Sequence, residues 1–115
     1  MVISRAYTLK EDRSLAAQYL SKANRRKQAI QRYCWDPSQG FFVDYDFIAQ
    51  KPTGVLSLAG VYPLFFQLAD GGQANAVAQV LRTRFLQPGG LTTTLVTNSQ
   101  QWDAPNGWLR YNGWP

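Results

Sequence analysis

With 45% hydrophobic and 14% aromatic side chains, the 115-residue chain has enough apolar material to bury a small core and is not a disordered tail. It carries no histidine and a single cysteine, Cys34, which excludes an internal disulfide, a Ser-His or Cys-His relay and a His-ligated zinc site. The net charge of +5 is uneven: residues 1–35 hold eight Lys and Arg against Glu11 and Asp12, a net +6, whereas residues 36–115 hold four against five carboxylates, a net −1.

The start Met1-Val2-Ile3-Ser4-Arg5 lacks the basic and apolar regions of a signal peptide, and no apolar run approaches the length of a membrane span. From about Lys10 to Tyr33, Ala16, Tyr19, Leu20, Ala23, Ile30 and Cys34 recur at helical intervals, which predicts one long amphipathic helix. Cys34 on that stripe is expected to be an inert buried thiol. Lys22, Arg25, Arg26, Lys27 and Arg32 fill the other face, where a solvated surface is favoured over a grip on phosphates because no aromatic residues interleave with them.

Trp35 to Gly40 stops this helix, with Pro37 disfavouring helix at Asp36, and Phe41 to Asp46 predicts a short extended stretch. After Lys51-Pro52-Thr53-Gly54, the run Val55 to Leu68 is apolar on almost every side and predicts a buried helix, with Pro63 in its first turns or kinking it. Asp70-Gly71-Gly72 is expected to close it. Gln73 to Phe85 then predicts a third helix with Ala76, Val77, Val80, Leu81 and Leu86 inward. The loop Gln87 to Gly90 leads to Leu91 to Val96, which is β-prone.

The segment Gln101 to Trp108 gathers two indoles, a carboxylate and a carboxamide within eight residues, held by Pro105 and Gly107. Indole faces stack on the C–H faces of sugars or on bases, and Asp and Gln hydrogen-bond hydroxyls, so the mixture suits a polyol. Read from spacing, a capped helix start with two core tryptophans fits equally well.

This run, Gln101-Trp102-Asp103-Ala104-Pro105-Asn106-Gly107-Trp108, resembles the second signature of trehalases, Gln-Trp-Asp-x-Pro-x-Gly-Trp-x-Pro, with Arg110 standing where the family has Pro. The resemblance extends through Ala23 to Ile30, the Tyr45 segment, Tyr62-Pro63-Leu64 and Leu86 to Leu91, nearly all of residues 14–108. It implies an all-α fold, part of an α/α toroid of six inner and six outer helices. Such a ring needs roughly 190 residues, so residues 1–108 are expected to be an incomplete toroid and 109–115 a tail outside the family. The resemblance implies hydrolysis of α,α-trehalose to glucose with inversion, no cofactor and no metal. It assigns substrate lining to Gln101, Trp102 and Asp103, and the shape of the loop to Pro105, Gly107 and Trp108.

Inversion requires a general acid and a general base about 6.5–9.5 Å apart. Asp44 and Asp46 would lie about 6.8 Å apart along a strand, but a turn beside solvent does not raise a carboxyl pKa as an apolar pocket does. Ala49 and Val55 stand where a calcium loop needs Gly and Glu, so these aspartates are not expected to form one. By resemblance, the family's acid lies upstream and its base downstream of the segments present here, so no catalytic residue is assigned and the chain by itself is expected to be inactive. The family continues after its Gly-Trp with Ala-Pro-Leu-Gln-Trp-Val-Ala. A coding string for those residues, read without its first base, gives Leu-Arg-Tyr-Asn-Gly-Trp-Pro, the observed Leu109 to Pro115, so a shifted reading frame is expected, which sequencing the locus would test.

The expected partner is trehalose, with no nucleic acid and no membrane, and with self-association through the apolar helix at 55–68. By resemblance the compartment is periplasmic or cytoplasmic. The alternative from another class is a small basic helical module that binds nucleic acid or an acidic partner through Lys22 to Arg32, with affinity that falls as salt rises.

Overall fold

The computed structural model describes residues 2–95, which fall into two compact units, one ending at Arg32 and one starting at Tyr33. Helix predominates, as the sequence predicts, although two of the three helices expected from the sequence have different bounds and the one over 55–68 is not formed. The first unit contains α1 (Val2–Leu9) and α2 (Arg13–Ala29). The predicted start at Lys10 is corrected to Arg13: Glu11 adopts a left-handed φ of 60°, and the Asp12 carboxylate accepts the Leu15 N–H at 3.0 Å as the helix cap. Helix α1 lies upstream of the predicted helix and draws its stability from packing. Its Tyr7 ring stacks on Tyr19 at 5.3 Å, and Ser4 Oγ donates to the Ala16 carbonyl at 2.9 Å.

Helix α2 runs into a π-helical turn, Ile30–Cys34, close to the predicted end. Along its apolar stripe Ala16 is buried and Tyr19, Ala23 and Ile30 are half-buried, but Leu20 is exposed. Lys22, Arg25, Arg26 and Arg32 are exposed, as expected of the basic face, whereas Lys27 is half-buried.

In the second unit, Trp35 to Asp46 forms parts of two hairpins. β1 (Trp35–Asp36) pairs antiparallel with β2 (Phe41–Phe42), Trp35 opposite Phe42 and Asp36 opposite Phe41. The turn is closed by Asp36, whose carboxylate accepts the Ser38 N–H at 2.9 Å and Ser38 Oγ at 2.6 Å. Gly40 ends it with φ 61° and no side chain toward Ala76. The cross-strand rings of Trp35 and Phe42 meet at 4.8 Å. β3 (Tyr45–Asp46) pairs with β4 (Lys51–Pro52), and the Asp46 carboxylate holds the turn by accepting N–H bonds from Ile48 and Ala49, both at 2.9 Å.

The predicted helix over Val55 to Leu68 is not formed. Residues 55–57 are non-helical, Leu58–Val61 is a 3₁₀ turn, and α3 (Tyr62–Phe65) is a single turn with Pro63 in its first positions, ended by Gln67 at φ 56°. Two tertiary features override the apolar pattern. The backbone at Leu56 and Leu58 hydrogen-bonds a distant segment at residues 93–95 instead of its own helix, and Gly60 lets the chain approach Phe41 more closely than a helix bearing side chains could. Burial is correspondingly discontinuous: Leu56, Gly60 and Pro63 are buried, but Tyr62, Phe65 and Phe66 are 60%, 78% and 61% exposed.

Asp70, expected to close a helix, opens α4 (Gly71–Val80). Its carboxylate accepts the Gln73 N–H at 2.8 Å while Gln73 Oε1 accepts the Asp70 N–H at 3.1 Å, a reciprocal capping box. The π-helical turn Leu81–Phe85 extends it to the predicted end. Val77 and Phe85 are fully buried, and Phe85 stacks on Phe41 at 5.5 Å to form the centre of the unit, together with Phe42, Val43 and Leu56. Leu86, expected inward, is 55% exposed because the chain turns there into a hairpin, β5 (Leu86–Gln87) with β6 (Gly90–Leu91).

Candidate functional site

The candidate ligand residues Gln101, Trp102, Asp103, Pro105, Gly107 and Trp108 lie outside the described residues. What the structure supplies is the approach to them. From β6 the chain crosses the second unit as a run of three threonines. The Thr92 N–H donates to the Phe85 carbonyl at 3.0 Å, and Thr92 Oγ1 reaches the same oxygen at 3.4 Å. Thr94 stands opposite Ser57 in an antiparallel bridge. Around it the Leu58 N–H donates to the Thr93 carbonyl at 2.8 Å, the Leu95 N–H to the Leu56 carbonyl at 3.1 Å, and Thr94 Oγ1 to that same carbonyl at 3.3 Å.

Leu56, which carries two of these bonds on its carbonyl, is buried in the core. The last described residues before the signature are therefore hydrogen-bonded to the buried core of the unit. Thr92 and Thr94 were not singled out by sequence reasoning. The signal that would have found them is two hydroxyls at i and i+2, which share one face of an extended chain.

Four of the six carboxylates among the described residues have structural employment. Asp12 and Asp70 cap helices, and Asp36 and Asp46 close hairpin turns. Hydrogen bonding by Ser38 holds the Asp36 carboxyl below the ordinary carboxylate range, the opposite of what a general acid requires. Asp44 and Asp46 are both exposed, in keeping with their rejection as an acid/base pair. No cluster of three or more potential metal ligands exists among the described residues.

Cys34 is half-buried rather than fully buried. Burial, and secondarily the negative charge of Asp44, push its thiol pKa up, away from a reactive thiolate. On the basic helix, Asn24, Lys27, Gln28, Gln31 and Arg32 line an open groove. No aromatic ring is among its lining residues, so the stacking that accompanies single-strand nucleic-acid binding has no platform there. No described helix is long and apolar enough to cross a membrane.

With the helices, hairpins and threonine anchor placed, comparison with known proteins supplies the family. The trehalase family model matches residues 1–110. Over 107 residues, 93% of this chain, the sequence is 42% identical to a putative periplasmic trehalase of Escherichia coli O157:H7 and to periplasmic trehalases of E. coli O139:H28 and of E. coli K12 strain DH10B. The chain belongs to the trehalase family. It spans 19% of the length of each of these relatives.

Proposed function

We propose that this chain forms one wall of a trehalose pocket. Gln101, Trp102 and Asp103 contact the sugar, and Pro105, Gly107 and Trp108 set the shape of the loop. The observation that carries this reading is the unbroken Gln-Trp-Asp-x-Pro-x-Gly-Trp run at 101–108, inside a family match that extends across residues 1–110. The reaction of the intact family is inverting hydrolysis of α,α-trehalose. In it this chain supplies substrate contacts, and the proton donor and water activator come from other segments.

The caps and turns that occupy Asp12, Asp36, Asp46 and Asp70 support this division, because a carboxylate held by backbone N–H bonds at a helix start or a hairpin turn is committed to that local geometry rather than to a substrate. The chain is part of an α/α toroid, and helices joined by short hairpins among the described residues support that architecture. No cofactor and no nucleic acid enter this function.

The test combines binding and turnover on the 115-residue chain. Titration with trehalose, followed by indole fluorescence, is expected to saturate for the native sequence and to weaken by about 1–3 kcal/mol for Trp102→Ala, the order of a lost stacking contact with its buried apolar area. Glucose release is expected to be unmeasurable, since loss of either general acid or general base typically removes ~10²- to 10⁴-fold in rate. Turnover matching that of a periplasmic trehalase would refute the assigned division of labour, and an unchanged Trp102→Ala titration would refute the pocket wall.

A further inference from the structure

We propose that the aromatic face of α3 is a docking surface for a trehalase-family polypeptide carrying the segments that this chain does not span. The proposal rests on the division of labour above for its catalytic consequence, since such a partner brings the proton donor and the water activator; its docking geometry is independent of that reading. The face is made by Tyr62, Phe65 and Phe66, all of them exposed. Their rings form one cluster, Tyr62 stacked on Phe66 at 6.2 Å and Phe65 edge-to-face with Phe66 at 5.1 Å. No Lys, Arg, Asp or Glu occurs from Val55 to Ala69, so the segment lacks the charged groups that ordinarily furnish a solvated surface.

The turn beneath the cluster holds it in place. Pro63 is buried, and the backbone after it folds back on the turn: the Phe66 N–H donates to the Tyr62 carbonyl at 3.0 Å, the Gln67 N–H to the Leu64 carbonyl at 3.0 Å, and the Leu68 N–H to the Pro63 carbonyl at 2.7 Å. Gln67 completes it at φ 56°, a left-handed conformation unfavourable to a side chain of this kind. Three rings are thus kept in water on a pre-shaped turn, and groups already ordered lose little freedom when a partner covers them.

Size and family choose the occupant. Three rings exposed to this degree present roughly 300–500 Å² of apolar surface. A second copy brings only the same patch, so a symmetric pair buries about 600–1,000 Å² in total, at or below the lower bound of a specific interface. Such a patch suits the centre of a larger interface, where aromatic anchors concentrate. The comparison names the larger body: 93% of this chain aligns with 19% of each periplasmic trehalase, so in those relatives the aligned segment is continuous with the other four-fifths of the protein. An element in that position buries its apolar face against its neighbours. The first unit bears the same mark, because Val2, Ile3 and Leu9 of α1 are exposed as well.

The test mixes the full 115-residue chain with the periplasmic trehalase of E. coli K12 from which the 107 matched residues have been removed. Hydroxyl-radical footprinting is expected to label Tyr62, Phe65 and Phe66 strongly in the dilute free chain and weakly in the mixture, where light scattering shows a one-to-one complex. F65K/F66K is expected to weaken capture by at least ~10-fold, the scale of buried aromatic anchors, and F65L/F66L, which keeps the apolar surface, to retain most of it. To remove any dependence on how the shortened trehalase folds, the aligned residues of this chain are also grafted in place of the matched segment. In that graft the rings are expected to be protected, and F65K/F66K to lower the thermal midpoint that it leaves unaltered in the isolated chain.

Equal capture of the native and F65K/F66K chains would overturn the proposal, as would strong labelling of the rings in the graft. Oligomers of the chain that persist at equimolar partner would assign the face to a second copy, and weak labelling in the dilute free chain would assign it to residues 96–115; either result also overturns it. A complex that protects the rings but releases no glucose from trehalose would refute the pocket-wall reading and leave the docking surface standing.

Discussion

Gly60 and Asp36 show how single residues fix local geometry here. A Cβ at Gly60 would fall within the contact distance of the Phe41 ring and the Phe42 carbonyl, one of them fully buried and the other backbone, so neither can give way. Gly60→Ala is expected to destabilise the second unit by about 1–3 kcal/mol, the usual range for overpacking, read as a lower urea midpoint with an unchanged slope. Asp36 acts through charge. Its carboxyl pKa is lowered chiefly by the Ser38 hydrogen bond, so the unfolded chain binds its proton more readily than the folded one. The contribution is therefore complete above the ordinary carboxylate range and is lost as pH falls through the depressed value. Asp36→Asn is expected to flatten the acid limb of a stability-against-pH curve measured by denaturant titration, leaving the neutral region nearly level; an identical acid limb would exclude this role.

Among the elements, α4 illustrates a boundary that composition misassigns. Asp70-Gly71-Gly72 carries the glycines typical of a helix end, yet Asp70 and Gln73 form a capping box that starts a helix through both glycines. The Asp-x-x-Gln spacing was present in the sequence, and the glycines masked it. Asp70→Ala is expected to lower stability by about 1 kcal/mol, with Asp70→Asn retaining most of it because the side-chain acceptor remains. Thermal melts of the three chains compare them directly. The region 55–68 was illegible for a different reason. Periodicity can show that a run is apolar, but it cannot show that Leu56 and Leu58 will find hydrogen-bond partners at 93–95, a pairing more than thirty residues away. Helix α1 was missed because its eight residues carry little intrinsic helix preference, and Tyr7 and Ser4 stabilise it through contacts with α2.

At the scale of the whole molecule, apolar surface is exposed on a smaller element than the 55–68 helix through which self-association is expected. Tyr62, Phe65 and Phe66 form a ring cluster, with Phe65 and Phe66 edge-to-face at 5.1 Å, and all three are exposed. Contiguous aromatic surface of this kind favours association. Light scattering is expected to show a mass that rises with concentration, and replacing Phe65 and Phe66 by lysine is expected to return the chain toward a monomer. A concentration-independent monomer in the native sequence would remove this expectation.

Residue types by themselves determined the excluded chemistries, the predominance of helix, the approximate ends of α2 and of the helix after Asp70, and the family, since each follows from composition, local periodicity or a contiguous motif. Tertiary structure alone decided the breakup of the 55–68 run, the burial of Phe41 against Phe85 and the threonine anchor at 92–95. Each of these depends on which distant backbone groups meet, and a buried N–H or carbonyl takes whichever partner the packed core brings within reach.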